Sequence, residues 1–138
     1  MAIIRASVVL AISLVAATVA HLLFEPHWHS AFVEGRRFSS SVEWWNPYYM
    51  VRWIYTALLA FVFGAAVAFF IRSRLATLSA ALFGLAFGFI CMLLASWQLA
   101  AEATLVDRLW IYGDYYLVAP IAALCAALVV RRLRPNAA

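Results

Sequence analysis

Lysine is absent from this chain, and charge of either sign is scarce: 12% of the 138 residues are charged, against 68% that are hydrophobic. Soluble domains are nearer half apolar and a quarter charged, so a water-soluble globule is excluded. The long apolar runs lack the period-two alternation of barrel strands. Only helices or closed barrels satisfy their backbones in lipid, so the segments read as helices. The ten basic residues are all arginine. With abundant alanine, that composition points to a GC-rich bacterial genome. The net charge of +4 collects at the ends of apolar segments, so it carries no nucleic-acid signal. Two cysteines, Cys91 and Cys125, are too few for a disulfide framework. At 1.5 Å per residue they differ in depth by roughly 15 Å, too far apart for a bridge. Also missing are a glycine-rich phosphate loop, a nucleophile elbow and a zinc-protease helix. No acid falls at the midplane of a span, where a small proton-coupled transporter needs one.

What is present is four runs near the 20 residues that cross a bilayer. They are roughly Ile3–Phe24, Tyr48–Ile71, Leu75–Trp97 and Leu109–Val130. The expected fold is an all-α, polytopic four-transmembrane-helix bundle in one domain, 1–138, with helices over about 3–24, 48–71, 75–97 and 109–130. Arg5, Arg72, Arg74, Arg131, Arg132 and Arg134 have no acid among them. By the positive-inside rule they mark the cytoplasmic side. Glu25, Glu34, Glu43, Glu102, Asp107 and Asp114 all fall on the other side. Both termini are then expected inside, with an exported loop over about 25–46 and a short one near 98–108. The location this implies is a bacterial inner membrane. Arg5 and Thr18-Val19-Ala20 have the outline of a cleavable signal. Removal would leave the second helix without its antiparallel partner, so the first helix is expected to be retained.

Trp44, Trp45, Tyr48, Tyr49, Trp97, Trp110, Tyr112, Tyr115 and Tyr116 all fall on the exported side. Aromatic belts normally occupy both interfaces, so this lopsided one suggests a surface that does more than anchor. Pro26 is expected to end the first helix. Asn46-Pro47 is a good start for the second, and Pro120 is expected to kink the fourth. Small residues repeat every four positions at Ala60, Gly64 and Ala68, and again at Ala80, Gly84 and Gly88. Such ridges let backbones approach closely in lipid, and the two are expected to pack on each other as the core of a tight hairpin at Arg72-Ser73-Arg74. Ala119, Ala123 and Ala127 line one face of the fourth helix.

Two constellations carry possible chemistry. His21, Glu25, His27 and His29 form the first. An extended His-x-His pair brings two imidazoles together, and with Glu25 and His21 it would make a zinc or copper site; solvated interfacial residues are the plainer reading. The second is Arg52 and Asp114 at similar depth, flanked by His21 and Gln98. Intramembrane charges are costly and pair or face a cavity, so Arg52 and Asp114 are expected to meet, as a structural ion pair or as the wall of a polar pocket.

The stretch from Trp97-Gln98 through Tyr115-Tyr116-Leu117-Val118-Ala119-Pro120 to Arg131-Arg132-Leu133 resembles the last part of the small four-helix subunits of TRAP transporters. Arg37-Phe38 and Glu43-Trp44 are loosely similar as well. The resemblance covers about a third of the chain, and the hairpin Arg72–Arg74 is far shorter than the family's connection. It implies a scaffold with both termini inside that serves a larger transport subunit, and it transfers no functional residue.

The leading expectation is therefore a small accessory or scaffold subunit of a larger inner-membrane complex. Its partners would be the lipid bilayer and other integral membrane subunits or a second copy. A binder of lipid, quinone or a small molecule in an outer-leaflet pocket is the first alternative. A metal-dependent membrane enzyme using the His/Glu set is the second. The cofactor is otherwise unspecified.

Overall fold

The computed structural model describes residues 2–33, 47–71, 75–96, 104–106 and 112–134, and side chains within 3–25, 51–71, 75–96, 104–106 and 112–134. Among the described residues the main elements are four helices: α1 (Ala2–Val33), α2 (Pro47–Phe70), α3 (Leu75–Ala95) and α4 (Asp114–Leu133). Each contains a window long and apolar enough to cross a membrane, with mean hydropathy from 1.8 to 2.3.

Local sequence accounts for the ends. Proline opens α2, where its missing N–H is an orphan in any case. Asp114 opens α4 and Arg131 and Arg132 close it, which sets each charge against the helix dipole of opposite sign. Asp114 is thus the first residue of α4, not a position a turn inside it. The backbone turns at Gly113, and glycine is a poor residue for a helix interior.

A second departure concerns α1, which runs through Pro26 to Val33. Proline removes one hydrogen bond, but its fixed φ near −65° is itself helical. The seven residues after it include no glycine or second proline to stop the helix. The segment expected to leave the first helix as loop therefore begins as helix.

Cross-helix contacts fix the directions. Tyr55, near the start of the apolar window of α2, meets Ala20 and His21, near the end of that of α1, and the two windows pack as antiparallel neighbours. Arg52 meets Asp114 at one end, Gly64 meets Ala123 in the middle and Arg134 lies over Phe69 at the other, so α2 and α4 run parallel. Gly84 faces Pro120 and Gly88 faces Tyr115, so α3 opposes α4. The bundle is up-down-up-down, with Ala2 and Leu133 at the same end.

The packing differs from expectation in one instructive way. At their glycines the two small-residue ridges come closest to α4 rather than to each other. A Cβ placed on Gly64 would lie 2.8 Å from the Cα of Ala123. On Gly84 it would lie 2.5 Å from the Cα of Pro120, and on Gly88 2.6 Å from the Tyr115 carbonyl oxygen. Ala60, Ala68 and Ala80 are buried on the same two helices, and Ala119, Ala123 and Ala127 are buried on α4. The fourth helix thus has its closest approach at backbone distance, against both members of the hairpin. A ridge of small residues sets how near a neighbour comes. It does not say which neighbour that is, and α4 carries the best-matched third ridge.

Larger side chains complete the core. Phe83 and Phe87 are fully buried and stacked, with ring centroids 5.8 Å apart and planes 5° from parallel. Helix α1 packs more lightly, on α2 and α3. Its inward face is Ala6, Ser13, Ala17 and His21, spaced 7, 4 and 4 residues apart. Ser7 and Thr18 donate to the carbonyls of Ile3 and Leu14 one turn back, the usual way a hydroxyl is satisfied on an apolar helix. Ile3, Ile4, Val8, Ile12, Val15, Leu22 and Leu23 point outward.

Candidate functional site

The polar groups gather at the end where α2 and α4 begin. Arg52 is the second residue of the apolar window of α2, and Asp114 is the first of α4. The Arg52 Nε donates to Asp114 Oδ2 at 3.1 Å, and a terminal guanidinium nitrogen makes a second bond to the same oxygen. The Trp53 indole N–H donates to it as well. Asp114 Oδ1 is buried and makes no hydrogen bond among the described residues. The guanidinium also lies over two rings, 5.4 Å from the centroid of Tyr112 and 5.1 Å from that of Tyr115. Cation–π contact of this kind adds about 0.5–1 kcal/mol, more where water is excluded.

The expected approach of Arg52 to Asp114 is therefore present, and the pair is largely shielded, with side-chain exposures of 9% and 16%. Its chemistry is that of a clamp between α2 and α4. Breaking one side of such a pair costs about 3–5 kcal/mol, because it strands the other charge.

A second layer joins α1 to α2 and α3. His21 is 1% exposed. Its ring lies 5.5 Å from Tyr55 and edge-on to Phe87 at 6.3 Å, centroid to centroid. The Tyr55 hydroxyl lies 3.1 Å from the carbonyls of both Ala20 and His21 and has one proton to share between them. His21 Nε2 is 3.3 Å from Glu25 Oε2. That is close enough for electrostatic contact, but it lacks hydrogen-bond alignment, and neither ring nitrogen is bonded among the described residues. Thr56 Oγ1 is likewise buried without a bond.

The four members of the expected metal set fare differently. His21 and Glu25 lie one turn apart on α1 and come together. The side chains of His27 and His29 lie outside the described residues, as does Gln98. The backbone at 27–29 is helical, where the sequence suggests an extended segment. Among the described residues, no three His, Cys, Asp or Glu side chains converge as a metal site would require. Cys91 and Cys125 are both free thiols, one buried and one exposed.

Sequence reasoning misses Trp53, Tyr55, Tyr112 and Tyr115 as partners of these groups. The signal is available. Tyr112 and Tyr115 flank Asp114 in sequence, and Tyr55 is three residues from Arg52. By composition alone such residues count only toward an interfacial belt.

Away from this layer, an open apolar groove of about 610 Å³ runs along a flank of α1 from Ala11 to Phe24, with Ala16, Ala20 and Leu23 among its lining residues. It lies on a different face from Ala6, Ser13, Ala17 and His21. No family model, no curated protein and no solved structure matches this chain. The partial likeness to the small TRAP-transporter subunits rests on its sequence motifs alone.

Proposed function

We propose that the chain is a small accessory or scaffold subunit of a larger bacterial inner-membrane complex. In this reading both termini are cytoplasmic, the arginine end faces inward and the Arg52–Asp114 end faces the periplasm. The observation that carries it is the engagement of the intramembrane charges. Arg52 and Asp114 neutralise each other across α2 and α4 beneath Trp53, Tyr112 and Tyr115, so the strongest polar groups of the bundle hold helices together. The lightly packed α1, with its outward apolar flank, is the natural side for another integral membrane subunit. Extraction from the native membrane in mild detergent, followed by native mass spectrometry, tests this. A stoichiometric protein partner is expected; a lone chain carrying no other protein would overturn the reading.

A second reading draws on His21, whose buried ring nitrogens make no hydrogen bond among the described residues. Such groups are uncommon in native proteins and call for an explanation. A lipid, quinone or other small molecule reaching His21 at the periplasmic level would supply one. This version expects a non-protein mass bound to the purified chain that His21→Phe removes. The metal-enzyme reading rests on His27 and His29. It is decided by metal analysis of the purified protein and of its His27→Ala/His29→Ala variant.

A further inference from the structure

The opposite end of the bundle carries an arrangement that neither reading uses. Arg5, Arg131 and Arg132 are exposed there, while Arg134 is half-buried. Arg134 folds back over α2 so that its guanidinium carbon lies 3.5 Å from the centroid of the Phe69 ring. The chain leaves the helix at this residue, with φ −129° and ψ 65°, and the Arg134 backbone N–H donates to the Arg131 carbonyl at 3.3 Å. That bond ties the backbones of Arg131 and Arg134, three positions apart, while Arg132 is about 100° around the helix from Arg131.

A guanidinium stacked through its face keeps its N–H donors in the plane of its edge. No carboxylate takes those of Arg131 or Arg134 among the described residues, and every acid in the sequence lies between Glu25 and Asp114. An edge of this kind matches phosphate in a two-pronged bond. The surroundings indicate which phosphate. Phe69 and Phe70 end the apolar window of α2, and they and Leu133 are exposed beside the arginines. The guanidinium thus stands where hydrocarbon gives way to head groups. A ligand with both acyl chains and a phosphate meets both surfaces, whereas free phosphate meets only one. A choline or ethanolamine group would find arginines and, among the described residues, no acid nearby.

We propose that Arg131 and Arg134, backed by Phe69, form a recognition site for the phosphate of an anionic phospholipid. The test uses the full chain in mild detergent, with native mass spectrometry during titration by phosphatidylglycerol or phosphatidylcholine. Phosphatidylglycerol is expected to be retained in preference, and Arg131→Gln and Arg134→Gln are each expected to weaken its retention about fivefold. Arg132→Gln removes the same charge from another face and is expected to change retention less than about twofold. Phe69→Leu keeps every charge, loses the stacking ring and is expected to weaken retention too. Circular dichroism of each variant checks that the helices persist. Equal retention of the two lipids would overturn the site, as would a loss from Arg132→Gln as large as that from Arg134→Gln. Displacement of the lipid by millimolar inorganic phosphate would overturn the lipid assignment.

Discussion

Helices α4 and α1 are both apolar, both long enough to cross a bilayer and both joined to the hairpin α2–α3, yet they are held by different means. Against α4 the hairpin presents glycine, and the approach is limited by backbone atoms of Ala119, Pro120, Ala123 and Tyr115. Against α1 it presents larger groups, Tyr55 and Phe87, and the contact is a ring against a ring and a hydroxyl against a carbonyl. Lipid offers apolar helices no hydrophobic incentive to associate. Close van der Waals contact is then the main attraction, and it grows with the length of seam over which two backbones come near. On that reasoning α4 belongs to the permanent body of the bundle. Helix α1 is an added strut, whose cross-helix polar and ring contacts lie at the level of His21.

This contrast should break first at the glycines. Gly88→Leu or Gly84→Leu forces a side chain into backbone atoms of α4. Overpacking of a core costs about 1–3 kcal/mol where side chains can yield, and here they cannot, so loss of the folded bundle is expected by circular dichroism and size-exclusion chromatography in mild detergent. The same leucine at Ala16, on the open flank of α1, should leave both unchanged. The ion pair comes next. Asp114→Ala strands Arg52 and is expected to destabilise by about 3 kcal/mol, whereas the double change Arg52→Leu/Asp114→Leu should recover most of that loss in the same denaturation assay. A double variant no better than the single would show that the pair is not what binds α2 to α4.

On the α1 side the effects should be smaller. Tyr55→Phe removes one hydroxyl bond to the Ala20 and His21 carbonyls and is expected to cost about 1 kcal/mol. Hydrogen exchange of the α1 amides should rise while that of α4 stays the same. Smallest of all, Ile12→Ala and Leu23→Ala on the outer flank should alter stability within about 0.5 kcal/mol. If a partner docks there, they should lower its co-purification all the same. Unchanged co-purification would move the partner to another face.

Much of this architecture can be read from the sequence. The apolar runs locate the helices, Asn46-Pro47 marks the start of α2 to within a residue, and two isolated charges at matched depth find each other because neither has a cheaper place to go. The partner of each small-residue ridge is not legible. Spacing encodes a face, and the three ridges on α2, α3 and α4 can be paired in more than one way. The continuation of α1 past Pro26 is hidden for a different reason: proline weakens a helix by one bond, and the helix-forming strength of residues 27–33 decides whether it survives. In the polar layer, Asp114 and Arg52 stand out by charge. Trp53 and Tyr115 act through an N–H and a ring face, which composition counts as belt.

The order of the helices along the chain gives the glycine seam a meaning in time. Synthesis proceeds from the N-terminus, so α1, α2 and α3 are made before the helix that sits most tightly among them. Until α4 arrives, Gly64, Gly84 and Gly88 have no backbone to close on. Of the described helices α4 is made after the three it closes on, and a chain cut off before Asp114 would keep three spans without the helix that meets their glycines.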